Sequence, residues 1–533
     1  MNETRYIFVT GGVASSLGKG IISSSIAKLL QARNYNVTIQ KFDPYINVDA
    51  GLLSTSEHGE CYVTFDGHEA DLDLGHYERF LNVEMTRQNN ITTGRIYKNV
   101  IDKERSDEYC GKTVQVVPHI TNEIKMQMTA LGNRFHYDFV ITEIGGTVGD
   151  IESLPYIECV RQLKRELGKM ALCVHLTYVP YLAAAKEMKT KPTQHSVQKL
   201  QSMGVQPDIL VLRTEMDIEE SVRRKTALFC NVDEDAVIQS IDVPSIYQVP
   251  LNLQNQKMDE IVLKKMELPI GEQPDLGTWK IFLERCQKAE RKVRIALIGK
   301  YELQDAYKSV IESLSQAATY NDCKLILEFI YSNNLTKSNV EEILSPFQGI
   351  VIAPGFGQFG TNGKYIAARY ARENNVPTFG IVMGMQCMVV EFARNVLDLE
   401  DANSLEHDKT TRHNVLDFME SNKIKANLSS TMRLGSFDCV LKKNSKAYDI
   451  FGKDVISGRH RHRFEFNTDY INNFEKAGMQ CVGVNPDTGL VEIVEMPELK
   501  WYIGVQFHPE YGSTVLNPNP LFLSFIKAAL SEK

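Results

Sequence analysis

Residues 6 to 34 constrain the fold more than any other segment. Tyr6-Ile-Phe-Val-Thr10 is a short apolar strand that runs into Gly11-Gly12-Val13-Ala14-Ser15-Ser16-Leu17-Gly18-Lys19-Gly20, followed by a helix from about Ile21 to Asn34. A strand passing through a Gly-rich turn into a helix N-terminus presents backbone N–H groups to phosphate oxygens, and Lys19 adds a point charge at the end of the loop. Such a βα start also favours parallel pairing, and apolar strands expected near Val37 to Lys41, Phe139 to Glu143, Ala171 to Val179 and Ile209 to Arg213 predict a mostly parallel sheet. The match to the standard phosphate loop is inexact. Five residues separate Gly12 from Gly18, and Gly20 stands where a metal-binding hydroxyl is usual, so the same segment would also serve as a glycine turn capping a helix.

A chain of 533 residues exceeds what one hydrophobic core holds. The pattern breaks at Pro269, Gly271, Pro274 and Gly277, followed by a charged helical stretch from Trp279 to Lys292. A second βα series then opens with Val293 to Gly299 and continues near Leu325 to Ile330, Gly349 to Ala353 and Pro377 to Ile381. The expected organisation is a domain over 1–267, a linker over 268–292 and a second α/β domain over 293–533, with residues 403 to 430 loosely ordered. A net charge of −8 argues against nucleic acid or anionic membrane as the main partner. No apolar run approaches the roughly 20 residues of a membrane span, and Met1 to Arg5 leads into a strand without a signal-peptide pattern, so a cytoplasmic protein is expected. Ten cysteines without any Cys-x-x-Cys pair favour reduced, mostly buried thiols over a zinc site or a disulfide framework.

With the loop hydroxyl missing, magnesium would need carboxylates elsewhere. Asp71-Leu72-Asp73 is one candidate. The other is Glu143, which ends an apolar strand and precedes Gly145-Gly146, where a backbone can approach a ligand. Lys189-Thr190-Lys191-Pro192-Thr193-Gln194-His195 places two lysines and several hydrogen-bonding groups on what reads as one Pro-bent loop, a solvated turn or a triphosphate pocket. In the second half, Thr378 to Val390 reads as strand, Gly-flanked turn and helix, the shape that presents a nucleophile at an elbow, with Val382 at its apex. His508-Pro509-Glu510 supplies a base and a carboxylate to orient it, so the charge-handling pair is present and the attacking atom is missing.

Several long segments carry a family resemblance: 11 to 20, Lys-Phe-Asp-Pro-Tyr-Ile-Asn-Val-Asp at 41 to 49, Asp-Leu-Gly-His-Tyr-Glu-Arg-Phe at 73 to 80, and Glu-Ile-Gly-Gly-Thr-Val-Gly-Asp-Ile-Glu-Ser at 143 to 153. With 189 to 195, 227 to 232, 430 to 435, 459 to 463 and Gln-Phe-His-Pro-Glu at 506 to 510, the chain resembles the CTP synthases over essentially its whole length. The resemblance implies an α/β protein with an N-terminal P-loop-like amidoligase domain and a C-terminal class I glutamine amidotransferase-like domain. It implies an ATP-dependent enzyme that phosphorylates the 4-oxygen of UTP and displaces the phosphate with ammonia, giving CTP, which is both product and feedback inhibitor. By position, Lys19 and Lys41 would serve the phosphoryl transfer. Ser16, Leu17, Gly18, Lys19, Gly20, Ile21, Asp73 and Val243 would hold ATP, and Asp73 with Glu143 would hold Mg2+. Ser15, Lys189, Thr190, Lys191, Pro192, Thr193, Gln194 and Lys225 would hold UTP, with Asp150, Ile151 and Glu152 serving CTP. A homotetramer, with filaments as a further assembly, is the implied state.

The chain departs from the family in one region. Val382 stands at the position of the glutaminase cysteine, and Cys387, five residues on, reads as a packed hydrophobe rather than a substitute. Pro354-Gly355-Phe356-Gly357 is one glycine short of the family's oxyanion turn. Phe359 replaces an arginine common beside the GTP effector site, and Lys300 to Asp305 is one residue short. Gly355, Glu406 and Arg463 match glutamine-binding positions, while His508 and Glu510 remain as a triad without its nucleophile. The expectation is a ligase fed by free ammonia or another amine. A non-catalytic regulatory partner of an active CTP synthase and a UTP- or CTP-sensing assembly protein are the competing readings.

Overall fold

The computed structural model describes residues 3–302, 304–418 and 432–531. It divides into two compact units, one of residues 1–52 and 76–277, the other of 53–75 and 278–533.

The first unit is built on a seven-stranded sheet. Its strands are β1 (Arg5–Gly11), β2 (Val37–Asp43), β3 (Asn90–Thr92), β4 (Phe139–Ile144), β5 (Ala171–Tyr178), β6 (Ile209–Thr214) and β7 (Val237–Ile241), in the spatial order β7-β6-β5-β1-β4-β2-β3. Every pairing is parallel. A parallel sheet covered on both faces must be apolar on both faces, and β2, β4 and nearly all of β1 are buried throughout. The register sets Glu143 of β4 beside Val9 of β1 and Lys41 of β2, so Lys41, Asp43 and Glu143 gather at the carboxyl ends of neighbouring strands. Ligand sites in open α/β sheets form outside those ends.

The second unit holds a nine-stranded mixed sheet. Four parallel strands, β8 (Arg291–Gly299), β9 (Cys323–Tyr331), β10 (Gly349–Ile352) and β11 (Thr378–Ile381), run in the order β9-β8-β10-β11. Tyr502–Val505 adds in parallel to β11. Antiparallel strands Val491–Glu495, Gln480–Val484, Arg433–Leu441 and Val455–His462 then extend the sheet. One face packs Phe379 against Trp501, Phe522 and Phe525, with ring centroids 5.1 to 6.0 Å apart.

Some local expectations change. The helix expected over 279–292 spans Gly277–Lys288, and β8 begins at Arg291. Residues 403–418, expected to be loosely ordered, form strands Asn403–Ser404 and Asn414–Phe418 in a small sheet with Phe464–Phe466; residues 419–430 of that stretch lie outside the described residues. Residues 191 to 195 are the first turn of helix Lys191–Ser202 rather than a loop. Pro192 sits in that first turn, where a missing N–H costs no intrahelical bond. Of the ten cysteines, seven are buried, only Cys110 is exposed, and none is in a disulfide. Among the described residues no helix is long and apolar enough to cross a membrane.

Candidate functional site

In the first unit the loop after β1 ends in left-handed Gly18 (φ 90°), and helix Lys19–Gln31 begins at once. Gly12 is required by space, because a Cβ there would lie 1.7 Å from the Ser196 hydroxyl. The Lys19 ammonium donates to the Gly146 carbonyl at 2.9 Å, and Arg213 donates to the Leu17 carbonyl at 2.8 Å, so the helix end of the loop is tied to the turn after β4 and to β6. Ser15 and Ser16 are exposed on this loop, and Gly20 and Ile21 lie in the first helical turn. Beneath the loop, His175 lies 2.8 Å from both the Thr10 and Ser196 hydroxyls. Burial, reinforced by Lys19, pulls His175 down to about 3, so its imidazole stays neutral.

Lys41 is buried, with its ammonium 3.6 Å from the Asp43 carboxylate. Glu143 accepts a hydrogen bond from the Tyr77 hydroxyl, and Asp73 opens helix Asp73–Leu81 with its N–H donated to Asp71 at 3.0 Å. Among the described residues no three His, Cys, Asp or Glu side chains assemble as a metal cage. A cation beside Glu143 would need phosphate oxygens and water as further ligands, which is how magnesium is usually held, and a carboxylate is the hard oxygen donor it prefers; Asp73 belongs to the second unit.

The residues expected at a pyrimidine nucleotide are distributed over several elements. Asp150, Ile151 and Glu152 are exposed, and Asp150 accepts the Thr147 N–H at 3.2 Å. Lys189 pairs with Glu187, and Lys191, Pro192, Thr193 and Gln194 start the helix. Thr193 lies 3.0 Å from Thr177, and Gln194 donates to Thr190 at 3.1 Å. Lys225 stands on helix Glu220–Cys230 without an ion pair among the described residues, and Val243 follows β7.

In the second unit the elbow is formed. Val382 joins β11 to helix Met383–Asn395 at φ 51°, ψ −105°, is 2% exposed, and donates its N–H to Val505 O at 2.7 Å. A β-branched residue at positive φ is a true outlier that costs about 1–3 kcal/mol, so the surrounding fold imposes the turn. Gly384 is needed beside it, since a Cβ there would lie 2.0 Å from Ile352 O. Cys387 is fully buried, and burial pushes its thiol up to about 11, which removes it as a nucleophile near neutral pH. His508 Nδ1 lies 2.7 Å from Glu510 Oε1, so the imidazole is oriented as a base would be.

Around the shortened glycine turn, the Gly357 N–H donates to Glu406 Oε1 at 2.9 Å. Lys300 donates to the Phe356 and Gly357 carbonyls. Burial pushes Glu406 up and pulls Lys300 down. Arg463 has a buried Nε without a hydrogen-bond partner among the described residues. Phe359 is 61% exposed, with its ring 6.5 Å from that of Tyr331, and Leu303 of the shortened 300–305 segment lies outside the described residues. Lys364 escaped sequence reasoning because a helical lysine usually reads as solvated. It is 0% exposed, donates to Ala353 O at 2.5 Å, and is pulled down to about 8 by burial.

A phosphate loop at the carboxyl end of a parallel sheet, joined in one chain to an elbow with an oriented imidazole, defines an amidoligase fused to a class I amidotransferase-like unit. Residues 5–268 match the family model described as CTP synthase N-terminus, and residues 302–528 match glutamine amidotransferase class-I. The CTP synthase of Bacteroides fragilis is 67% identical over 533 residues, covering all of both chains. That of Porphyromonas gingivalis is 63% identical over 534 residues, covering 100% of this chain and 99% of its own. Among solved structures, the glutaminase domain of Trypanosoma brucei CTPS with bound acivicin is 37% identical, covers 45% of this chain and 95% of that one, and has a TM-score of 0.43. The chain belongs to the CTP synthase family, a membership that supports ATP-dependent conversion of UTP to CTP.

Proposed function

We propose that this protein makes CTP from UTP and ATP with free ammonia, or another small amine, and does not use glutamine. The observation that carries the reading is Val382 at the elbow, where a hydrocarbon side chain offers neither a lone pair nor an acidic proton. The proposed ligase domain spans 1–267 and the amidotransferase-like domain 293–533, with 268–292 between them.

In the first step the 4-oxygen of UTP attacks the γ-phosphorus of ATP, ADP leaves, and the ring loses its N3 proton as the C4=N3 bond forms. In the second, ammonia attacks C4, phosphate leaves with the C–O bonding electrons, and a proton is lost. Phosphoryl transfer is catalysed mainly by positioning and charge neutralisation. Lys19 and the loop from Ser16 to Ile21 are assigned to the ATP phosphates together with Asp73, and Val243 to ATP. Lys41 is assigned to the developing charge. Ser15, Lys189 to Gln194 and Lys225 are assigned to UTP, and Asp150 to Glu152 to CTP as feedback inhibitor. Asp73 and Glu143 would hold Mg2+, which when bound neutralises charge on the transferring phosphoryl group. Gly355, Glu406 and Arg463 remain from a glutamine site. A cytoplasmic homotetramer, able to form filaments, completes the reading.

The test is turnover of UTP, ATP and magnesium with ammonium or with glutamine as nitrogen source. CTP from ammonium alone is expected. CTP with stoichiometric glutamate from glutamine overturns the loss of glutaminase, and no CTP from either source turns the reading to a nucleotide sensor or a regulatory subunit.

A further inference from the structure

The second unit contains a cavity of about 40 Å3 whose lining includes Glu60, Cys61, Gly355, Arg461, His508 and Glu510. One water needs about 10–15 Å3 of such space, so the cavity has room for a ligand the size of a water or an ammonium ion.

Two of its lining residues carry buried acceptors without partners. His508 is 6% exposed and Glu510 2%, and neither His508 Nε2 nor Glu510 Oε2 has a hydrogen-bond partner among the described residues. Because Nδ1 donates to Glu510 Oε1 at 2.7 Å, the neutral ring carries its lone pair on Nε2. The ring is held in place by Tyr511, stacked at 4.7 Å and 15°, whose hydroxyl donates to Cys61 O at 3.0 Å. Charge favours a cation: Arg461 pairs with Glu69 at 2.8 Å, while the lining carboxylate of Glu510 keeps Oε2 without a hydrogen-bond partner among the described residues. A small ligand with N–H donors and no acceptor answers this set of groups, and ammonium is such a ligand.

We infer that this cavity binds ammonium and that His508, oriented by Glu510, removes its proton; the inference rests on the ammonia-fed ligase reading. One N–H bond of ammonium breaks, its electron pair staying on nitrogen as the nucleophilic lone pair, and the proton bonds to Nε2. Glu510 stabilises the imidazolium through Nδ1–H, and the imidazolium returns the proton to water. His508 thereby keeps the base role that an acyl-transfer site would give it, with ammonium in place of a thiol as the acid.

Other titratable groups face the ring from several elements. Glu60 and Cys61 come from the 53–75 segment, Tyr301 and Tyr307 from the stretch after β8, and Glu510 and Tyr511 from the ring's own turn. Burial pushes all three tyrosines up. From strand Val455–His462, Arg461 stays charged, and burial pulls His460 and His462 down, keeping them neutral.

The test is the pH dependence of kcat/KM for total ammonium, with ammonium chloride as the probe and CTP as the readout. Free ammonia alone would give a slope of one in the logarithm across the neutral range. The wild-type slope is expected to fall clearly below one. In His508→Gln it should return to one, with kcat/KM at neutral pH reduced on the order of 100-fold, the gap narrowing as pH rises, and KM for ATP and UTP unmoved. Glu510→Gln should shift the slope in the same direction. A wild-type slope of one overturns the inference while leaving the ammonia-fed ligase intact, and needs no variant to fold. No CTP from ammonium at any pH overturns both.

Discussion

The Lys19 ammonium donates to the carbonyl oxygen of Gly146 at 2.9 Å, joining the loop after β1 to the turn after β4. A carbonyl is a neutral partner that a phosphate can displace, since a charge-assisted bond is roughly twice as strong as a neutral one. Lys19→Ala is therefore expected to lower CTP formation from ammonium by about 100-fold or more. Asp73→Asn and Glu143→Gln should instead raise the magnesium concentration needed for half-maximal rate. Magnesium titrations of all three variants check this, and near-normal behaviour throughout would place the phosphoryl-transfer site elsewhere.

Val382→Cys puts a thiol at the elbow of a unit that retains His508 and Glu510. Acyl transfer also needs donors aimed at the oxyanion, and removing one costs about 100-fold or more. Here the Gly357 N–H is already donated to Glu406. Glutamate release by Val382→Cys is expected to stay close to background; brisk hydrolysis would show that the loop changes are neutral and Val382 is the sole lesion.

The backbone at Val382 also makes a stability prediction. In an ordinary buried site Gly is less stable than Ala, but at φ 51°, ψ −105° relief of about 1–3 kcal/mol of strain favours Gly. Denaturant unfolding of Val382→Ala and Val382→Gly should find the Gly variant at least as stable. A Gly variant clearly less stable than Ala would mean that the turn stores no such strain.

Lys364 gives a pH signature. Burial pulls it down to about 8 in the folded protein, while an unfolded lysine titrates near about 10.4. Between those values the unfolded chain binds more protons, so this residue makes stability rise with pH through that window and imposes a constant penalty below it. At about 1.36 kcal/mol per pH unit the rise amounts to roughly 3 kcal/mol. Lys364→Met should remove it, seen as a difference in unfolding free energy between variant and wild type that changes by about that amount from pH 7.5 to 10.5. A difference flat in pH would mean that Lys364 keeps its proton in the fold.

What the sequence determined by itself was local. The Gly-rich loop after Tyr6–Thr10, the elbow around Val382 and the pair His508-Pro509-Glu510 are short-range patterns whose spacing sets backbone shape, and each strand expected in the two parallel series is present. The antiparallel extension from Arg433 to Glu495 was not read, because half-buried strands joined by irregular loops give weak periodicity. Residues 191 to 195 form a helical turn although Pro192 suggested a bent loop, because a proline in a first turn does not stop a helix. Only tertiary structure could bring Glu60 and Cys61 to the cavity beside His508, more than 440 residues away in the chain, or bury Lys364 among backbone carbonyls. Burial and the low dielectric that shifts a proton arise from long-range packing, and no spacing rule within one segment encodes them.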